Sequence, residues 1–208
     1  MVTRKTTLEM IATRFGIPLS TLDMFDKEMV KHGVRPHSIR GRNPPPLKPL
    51  DVTHIALAAT WTRSVRGVAT AVAELSVLPL RGGTRELRDM DLSTYDFVYS
   101  QDGAKLTPTG IIEGALFQMY PRDILPMTET FGGSLANLIE RAPFDDEVEE
   151  LRVEVVWPPL SAKVRFRIDR FQYLVDFGDE IPRDAEEPIY SFTYGPRLLG
   201  YLGEIYRS

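Results

Sequence analysis

Eight residues near the start of the chain have the types and spacing to contact a nucleic acid. Ser20, Thr21, Met24, Lys27 and Lys31 fall where a helix would carry them close together, and Arg35, Arg40 and Arg42 follow within a few turns of chain. At the N-terminal part of a recognition helix, Ser20, Thr21 and Met24 would face base edges in a major groove. The lysines and arginines would neutralise phosphates and set register. The charge distribution supports this chemistry. Residues 1 to 50 carry nine Lys/Arg against four acids, a net of +5 that the whole-chain value of −4 conceals. From Met29 to Leu50 there is no acid, while five Lys/Arg and two of the three histidines lie there. A basic head on an acidic body is the electrostatic pattern of a chain that meets nucleic acid at one end.

Other chemistries find less support. His32, His37 and His54 have no metal-binding spacing, and the absence of cysteine removes thiolate zinc sites, disulfides and cysteine nucleophiles together. The acids Asp89/Asp91, Asp145–Glu150 and Asp176/Asp179/Glu180 could be imagined as magnesium carboxylates of a nuclease. Yet Glu154 is followed by two valines, so the lysine of a Glu-x-Lys strand is missing. Gly82-Gly83-Thr84 lacks the lysine of a phosphate loop, and Gly132-Gly133-Ser134 reads as a helix entry. No serine sits in a G-x-S-x-G elbow, and with no histidine beyond position 54 a serine triad would have to borrow one from the basic head. No catalytic residue, metal or cofactor is therefore assigned, and a non-enzyme is expected.

The elements that must position the eight residues are two short helices. Thr6 and Glu9 have the spacing of a capping box, which predicts a helix opening at Thr7. Leu8, Ile11, Ala12 and Phe15 give it one apolar stripe. Gly16 suits the left-handed residue that ends a helix, and Pro18 the first turn of the next. In that second helix Leu22, Phe25 and Met29 point inward while Ser20, Met24, Lys27 and Lys31 share the other face. A small Ala12, a glycine four residues on and apolar Ile17, Leu22 and Phe25 form the pattern of a helix-turn-helix. Asp23, Asp26 and Glu28 oppose it, because carboxylates on a recognition helix repel phosphates.

Beyond Gly33, five prolines between Pro36 and Pro49 rule out a regular helix, and the triple proline predicts a stiff connector. Asp51 is expected to cap a helix containing Val52, Ile55, Ala56 and Ala59, and Ser64 another with Val65, Val68, Ala69, Val72 and Leu75. Residues 80 to 91 read as a polar break, Tyr95–Tyr99 as a strand, Gln101–Gly103 as a turn and Ile111–Tyr120 as strand or helix. Phe131–Ala142 reads as a short amphipathic helix. Alternation in Leu151–Trp157, Val164–Ile168 and Phe171–Phe177 predicts a meander of antiparallel strands buried on one face. Ile189–Tyr194 reads as a fourth strand, and Leu198, Leu199, Leu202 and Ile205 as a C-terminal helix facing the sheet. The expected fold class is α+β: a helix-turn-helix head with a basic arm (1–43), a proline linker (44–50), a helical connector (51–88) and an acidic α+β domain (89–208) with an antiparallel sheet and packed helices.

Residues 7 to 59 resemble the winged helix-turn-helix of MerR-type regulators and of phage small-terminase DNA-binding domains. Leu8–Ala12, Gly16-Ile17, Ser20-Thr21-Leu22 and Gly33-Val34 carry the resemblance, and Asp51-Val52-x-x-Ile55 matches the helix after the wing. One departure is Asp23-Met24, where MerR-type chains have Arg-Tyr. The resemblance implies a phage- or prophage-encoded protein that binds double-stranded DNA. The expected role is transcriptional regulation by a homo-oligomer, with the acidic domain supplying a surface for a protein partner. The alternatives are a terminase small subunit and a phage structural protein that touches only protein. No run of 18 apolar residues and no apolar leader is present, so no membrane contact and a cytoplasmic location are expected.

Overall fold

The computed structural model describes residues 3–36, 47–61, 64–87, 111–113, 125, 127–144, 148–157, 160–168, 171–178 and 190–207. The chain is α+β and forms two compact units. One comprises Met1–Leu78, Met127–Pro143 and Arg197–Ser208, the other Pro79–Pro126 and Phe144–Pro196.

The first unit is helical. Helix α1 (Arg4–Phe15) opens three residues before the expected Thr7, because Thr3 caps it: its Oγ1 accepts from Thr6 N at 3.3 Å. Gly16 then takes φ 68°, which turns Ile17 N back onto Ala12 O at 3.0 Å. Helix α2 (Leu19–Lys31) ends the same way, with Gly33 at φ 73° and Val34 N bonded to Met29 O at 2.9 Å. Both glycines thus hold the left-handed conformation that closes a helix at no steric cost. Leu8, Ile11, Leu22, Phe25 and Met29 are buried between the helices, each worth on the order of 2 kcal/mol of transfer free energy.

Helix α3 (Pro49–Ala59) is buried along its length from Asp51 onward, as befits a helix that is apolar nearly all round. Asp51 stands inside its first turn rather than before it, and Oδ2 accepts from Lys48 N at 2.8 Å. Pro49, which has no N–H to lose, fills the first position. Helix α4 (Val68–Ser76) follows a short 3₁₀ turn over Val65–Gly67. These two helices belong to the same compact unit as α1 and α2.

Helix α5 (Phe131–Arg141) returns to that core, packs on α3 and is capped by Thr130 Oγ1, which accepts from Gly133 N at 3.3 Å. Helix α6 (Pro196–Arg207) buries Leu199, Leu202 and Ile205. Two of its contacts lie within the helical unit. Tyr201 OH donates to Met10 O at 3.2 Å, and the Arg14 guanidinium lies 5.2 Å above the Tyr201 ring. Gly203 meets α5 backbone to backbone, since a Cβ there would lie 2.6 Å from Ile139 O.

The second unit is a sheet of β1 (Leu80–Leu87), β2 (Ile111–Glu113), β3 (Val148–Trp157), β4 (Ser161–Ile168), β5 (Phe171–Gly178) and β6 (Tyr190–Tyr194). Its described strands are ordered β2-β1-β5-β4-β3-β6 and every neighbouring pair is antiparallel. The expected meander is β3-β4-β5, and its inward residues Leu151, Val153, Val155, Val164, Phe166, Tyr173, Val175 and Phe177 are all buried. Val156, expected to face outward, is buried as well. Phe166 and Tyr173 stack across β4 and β5 with ring centres 4.9 Å apart. The polar break expected at 80–91 is a strand over Leu80–Leu87, and Gly82 lies where its pairing with β5 slips by one residue. Glycine in a strand commonly marks such a bulge. The expected strand at Tyr95–Tyr99, the turn after it and the triple proline lie outside the described residues.

A second bulge interrupts β3 between Glu149 and Arg152, and Glu150 within it has φ 52°. A left-handed residue with a Cβ costs about 1 kcal/mol. Its ion pair with Arg167, 3.8 Å long and exposed, offsets little of that. Glu150→Gly is therefore expected to raise the unfolding free energy by about 1 kcal/mol in a urea titration. A loss of stability would contradict the assignment of strain to this residue.

Candidate nucleic-acid interface

The turn at Gly16 and the buried stripe Leu22–Phe25–Met29 fix which side of α2 faces away from α1 and α3. On that side Ser20, Met24, Lys27 and Lys31 stand exposed at helical spacing, with Thr21 half-buried beside them. Met24 keeps 45% of its surface, an unusual exposure for its size. Five of the eight expected contact residues thus share one region of one helix.

The three acids of α2 are all engaged. Lys27 Nζ lies 2.7 Å from Asp23 Oδ2 and Arg4 Nη2 lies 3.1 Å from Asp23 Oδ1, and these hydrogen bonds, Lys27's first, hold the Asp23 carboxyl below its usual pKa. Glu28 is lowered likewise, chiefly by Lys31 at 3.1 Å, with His32 at 3.3 Å. Asp26 is wholly buried, gripped by Arg4, whose Nε donates at 2.5 Å, and by Arg35. The carboxylates that opposed a recognition helix are therefore turned inward or paired. The same pairing leaves Lys27 and Lys31 partly compensated, so this face by itself holds little net charge. Exposed pairs of this kind contribute little to stability, and a phosphate can displace their carboxylates cheaply.

Arg35 does not join the surface set. It is 4% exposed, bonded to Asp26 through Nη1 and 3.5 Å from Asp51 Oδ1 through Nε. Burial draws its pKa down while Asp51 pushes it back up. A guanidinium enclosed by two carboxylates cannot reach a phosphate, so its role is to hold α2, the turn after it and α3 together. Arg40 and Arg42 lie outside the described residues.

The network Arg4–Asp26–Arg35–Asp51 is the feature that sequence reasoning missed. Its signal was present: Asp26 follows Leu22 by four residues and precedes Met29 by three, which puts a carboxylate on the apolar stripe. A charge there demands a buried partner.

His54 provides a second buried contact, with Nε2 3.1 Å from Ser76 Oγ. Serine, histidine and the nearby Asp51 are the residue types of a nucleophilic triad, but the arrangement does not serve one. The ring also bonds to the Val34 backbone, and burial above all lowers the His54 pKa to about 4. Gly132 of α5 sits so close that a Cβ there would be 2.8 Å from Ser76 O. No substrate atom could reach the hydroxyl through that contact. The pair ties α3 to α4 beneath α5.

Among the described residues no three metal-ligating side chains converge, and no helix is long and apolar enough to cross a membrane. No family model matches the chain, and neither a curated protein nor a solved structure does.

Proposed function

We propose that the chain is a non-enzymatic DNA-binding protein, a transcriptional regulator that presents α2 to the major groove of double-stranded DNA. The observation that carries this reading is the sorting of α2's side chains. Ser20, Met24, Lys27 and Lys31 stand outward together, while Asp26 is sequestered and Asp23 and Glu28 are paired. Two helices joined through a left-handed glycine, an acid-free basic stretch, then a buried third helix is the order that the MerR-type resemblance implies. Ser20, Thr21 and Met24 read base edges. Lys27 and Lys31 steady the helix against phosphates, and Arg40 and Arg42 supply most of the sequence-independent attraction.

Fluorescence anisotropy with random duplex DNA over a range of salt tests the reading. Log K should fall linearly with log salt, by about 0.9 per phosphate neutralised. Arg40→Ala with Arg42→Ala should weaken binding on every sequence and reduce that slope by about 2. Ser20→Ala with Thr21→Ala should leave the slope alone and change which sequences are preferred. Absence of binding at low salt would overturn the assignment.

A further inference from the structure

Charged side chains on the outer face of β3, β4 and β5 lie in rows that cross the strands. In one row Lys163 faces Glu154 on β3 and Asp176 on β5, with Nζ 3.8 Å from Asp176 Oδ1. In another, Arg167 faces Glu149 and is bonded to it, with Glu150 3.8 Å away. The row between them breaks this alternation. Arg152 and Arg165 stand directly opposite each other, both exposed, with half-buried Leu174 next in line. Neither arginine has an ion pair or hydrogen bond among the described residues. Like charges placed directly across a strand pair oppose the pairing.

The bulge in β3 creates this meeting. Counted on from Glu149 opposite Arg167 without the extra residue, Leu151 would face Arg165, and Arg152 would turn inward beside Val164. A shift of one residue exchanges the two faces of a strand. The extra residue corrects the exchange, keeps Leu151 buried and aims Arg152 outward, at the expense of a left-handed Glu150.

We propose that Arg152 and Arg165 form a binding site for a dianionic phosphoryl group, a phosphate monoester or a diphosphate. Directly opposed residues have Cβ atoms about 5 Å apart, so two guanidinium forks can close on one tetrahedral anion. Each fork offers parallel N–H donors matched to a pair of oxygens. The charge also matches: two cations with no partner among the described residues balance a dianion, whereas a single carboxylate balances one of them. Glu154 borders the site on the β3 side, opposite Lys163 in the register. The site is independent of the helical unit and of its DNA reading.

Thermal unfolding of the full chain, at constant ionic strength, with added phosphate, pyrophosphate or acetate provides the test. Pyrophosphate should raise Tm by roughly 3–5 °C at ten times its Kd, and further with the logarithm of its concentration, and acetate should not. The double variant Arg152→Gln, Arg165→Gln should unfold no lower than the parent without anion, since repulsion is relieved, and should lose the response. Arg167→Gln should keep it. An absent shift, a shift that survives in the double variant, or an equal response to acetate would each overturn the site.

Discussion

Arg35→Met should destabilise the protein by about 3–5 kcal/mol, seen as a large fall in the urea midpoint with an unchanged slope. The magnitude follows from what the substitution leaves behind. Asp26 is fully buried and Asp51 nearly so, and Arg35 reaches both. Removing the guanidinium leaves Asp26 with Arg4 alone, which is itself one-third exposed and shared with Asp23. An uncompensated carboxylate in the interior is far costlier than the net worth of the pair it came from. Arg35→Lys should recover only part of the loss, because an ammonium cannot span two carboxylates as a planar fork does. The double variant Arg35→Met, Asp26→Leu should be more stable than Arg35→Met alone, since the orphaned charge goes with its partner. A loss under about 1 kcal/mol for the single variant would show that the network is dispensable. Lys27→Ala supplies the contrast: little change in stability, with any effect confined to DNA affinity.

The second large effect is a dependence on pH through His54. Its folded-state pKa is about 4, against an ordinary value of 6.5, because burial penalises the imidazolium. Below 6.5 the unfolded chain therefore binds a proton that the folded chain refuses. The stability associated with a neutral His54 is complete above pH 6.5 and is lost progressively as pH falls towards 4. Over that window the loss amounts to about 3 kcal/mol at 1.36 kcal/mol per unit. Carboxylates titrate in the lower part of the same range, so the quantity to measure is the difference between the parent and His54→Gln. That difference should shift by about 3 kcal/mol between pH 7 and pH 4 in favour of the variant. Parallel curves would show that the histidine is not excluded from solvent in the folded protein.

How much could be read in advance depends on whether a signal was local. Gly16 and Gly33 were legible because closing a helix needs a left-handed residue and glycine supplies it cheaply, and the structure places both there. The β3–β5 meander was legible because one buried face imposes a strict two-residue period. The start of α1 was misplaced because Thr3 and Thr6 both have capping chemistry, and only the backbone decides between them. Strand β1 was missed because its pairing with β5 is a long-range property that LRGGTREL does not carry in its polarity. The site divides along the same line. Exposure of Ser20, Met24, Lys27 and Lys31 followed from helical spacing alone, whereas the fate of Arg35 depended on two carboxylates from separate helices.

The helical unit is assembled from three separated stretches of chain, and this has a consequence for biosynthesis. Helix α6 contributes Tyr201 and Gly203 to contacts with α1 and α5, yet it is translated only after the strands of the sheet. At roughly 5–20 residues per second, about 10 s separates completion of α4 from completion of α6. Throughout that interval the first four helices exist without the partners that cover them. A nascent chain must therefore wait for α6 before this unit is whole, and a fragment cut after Leu78 would remain permanently in that waiting state.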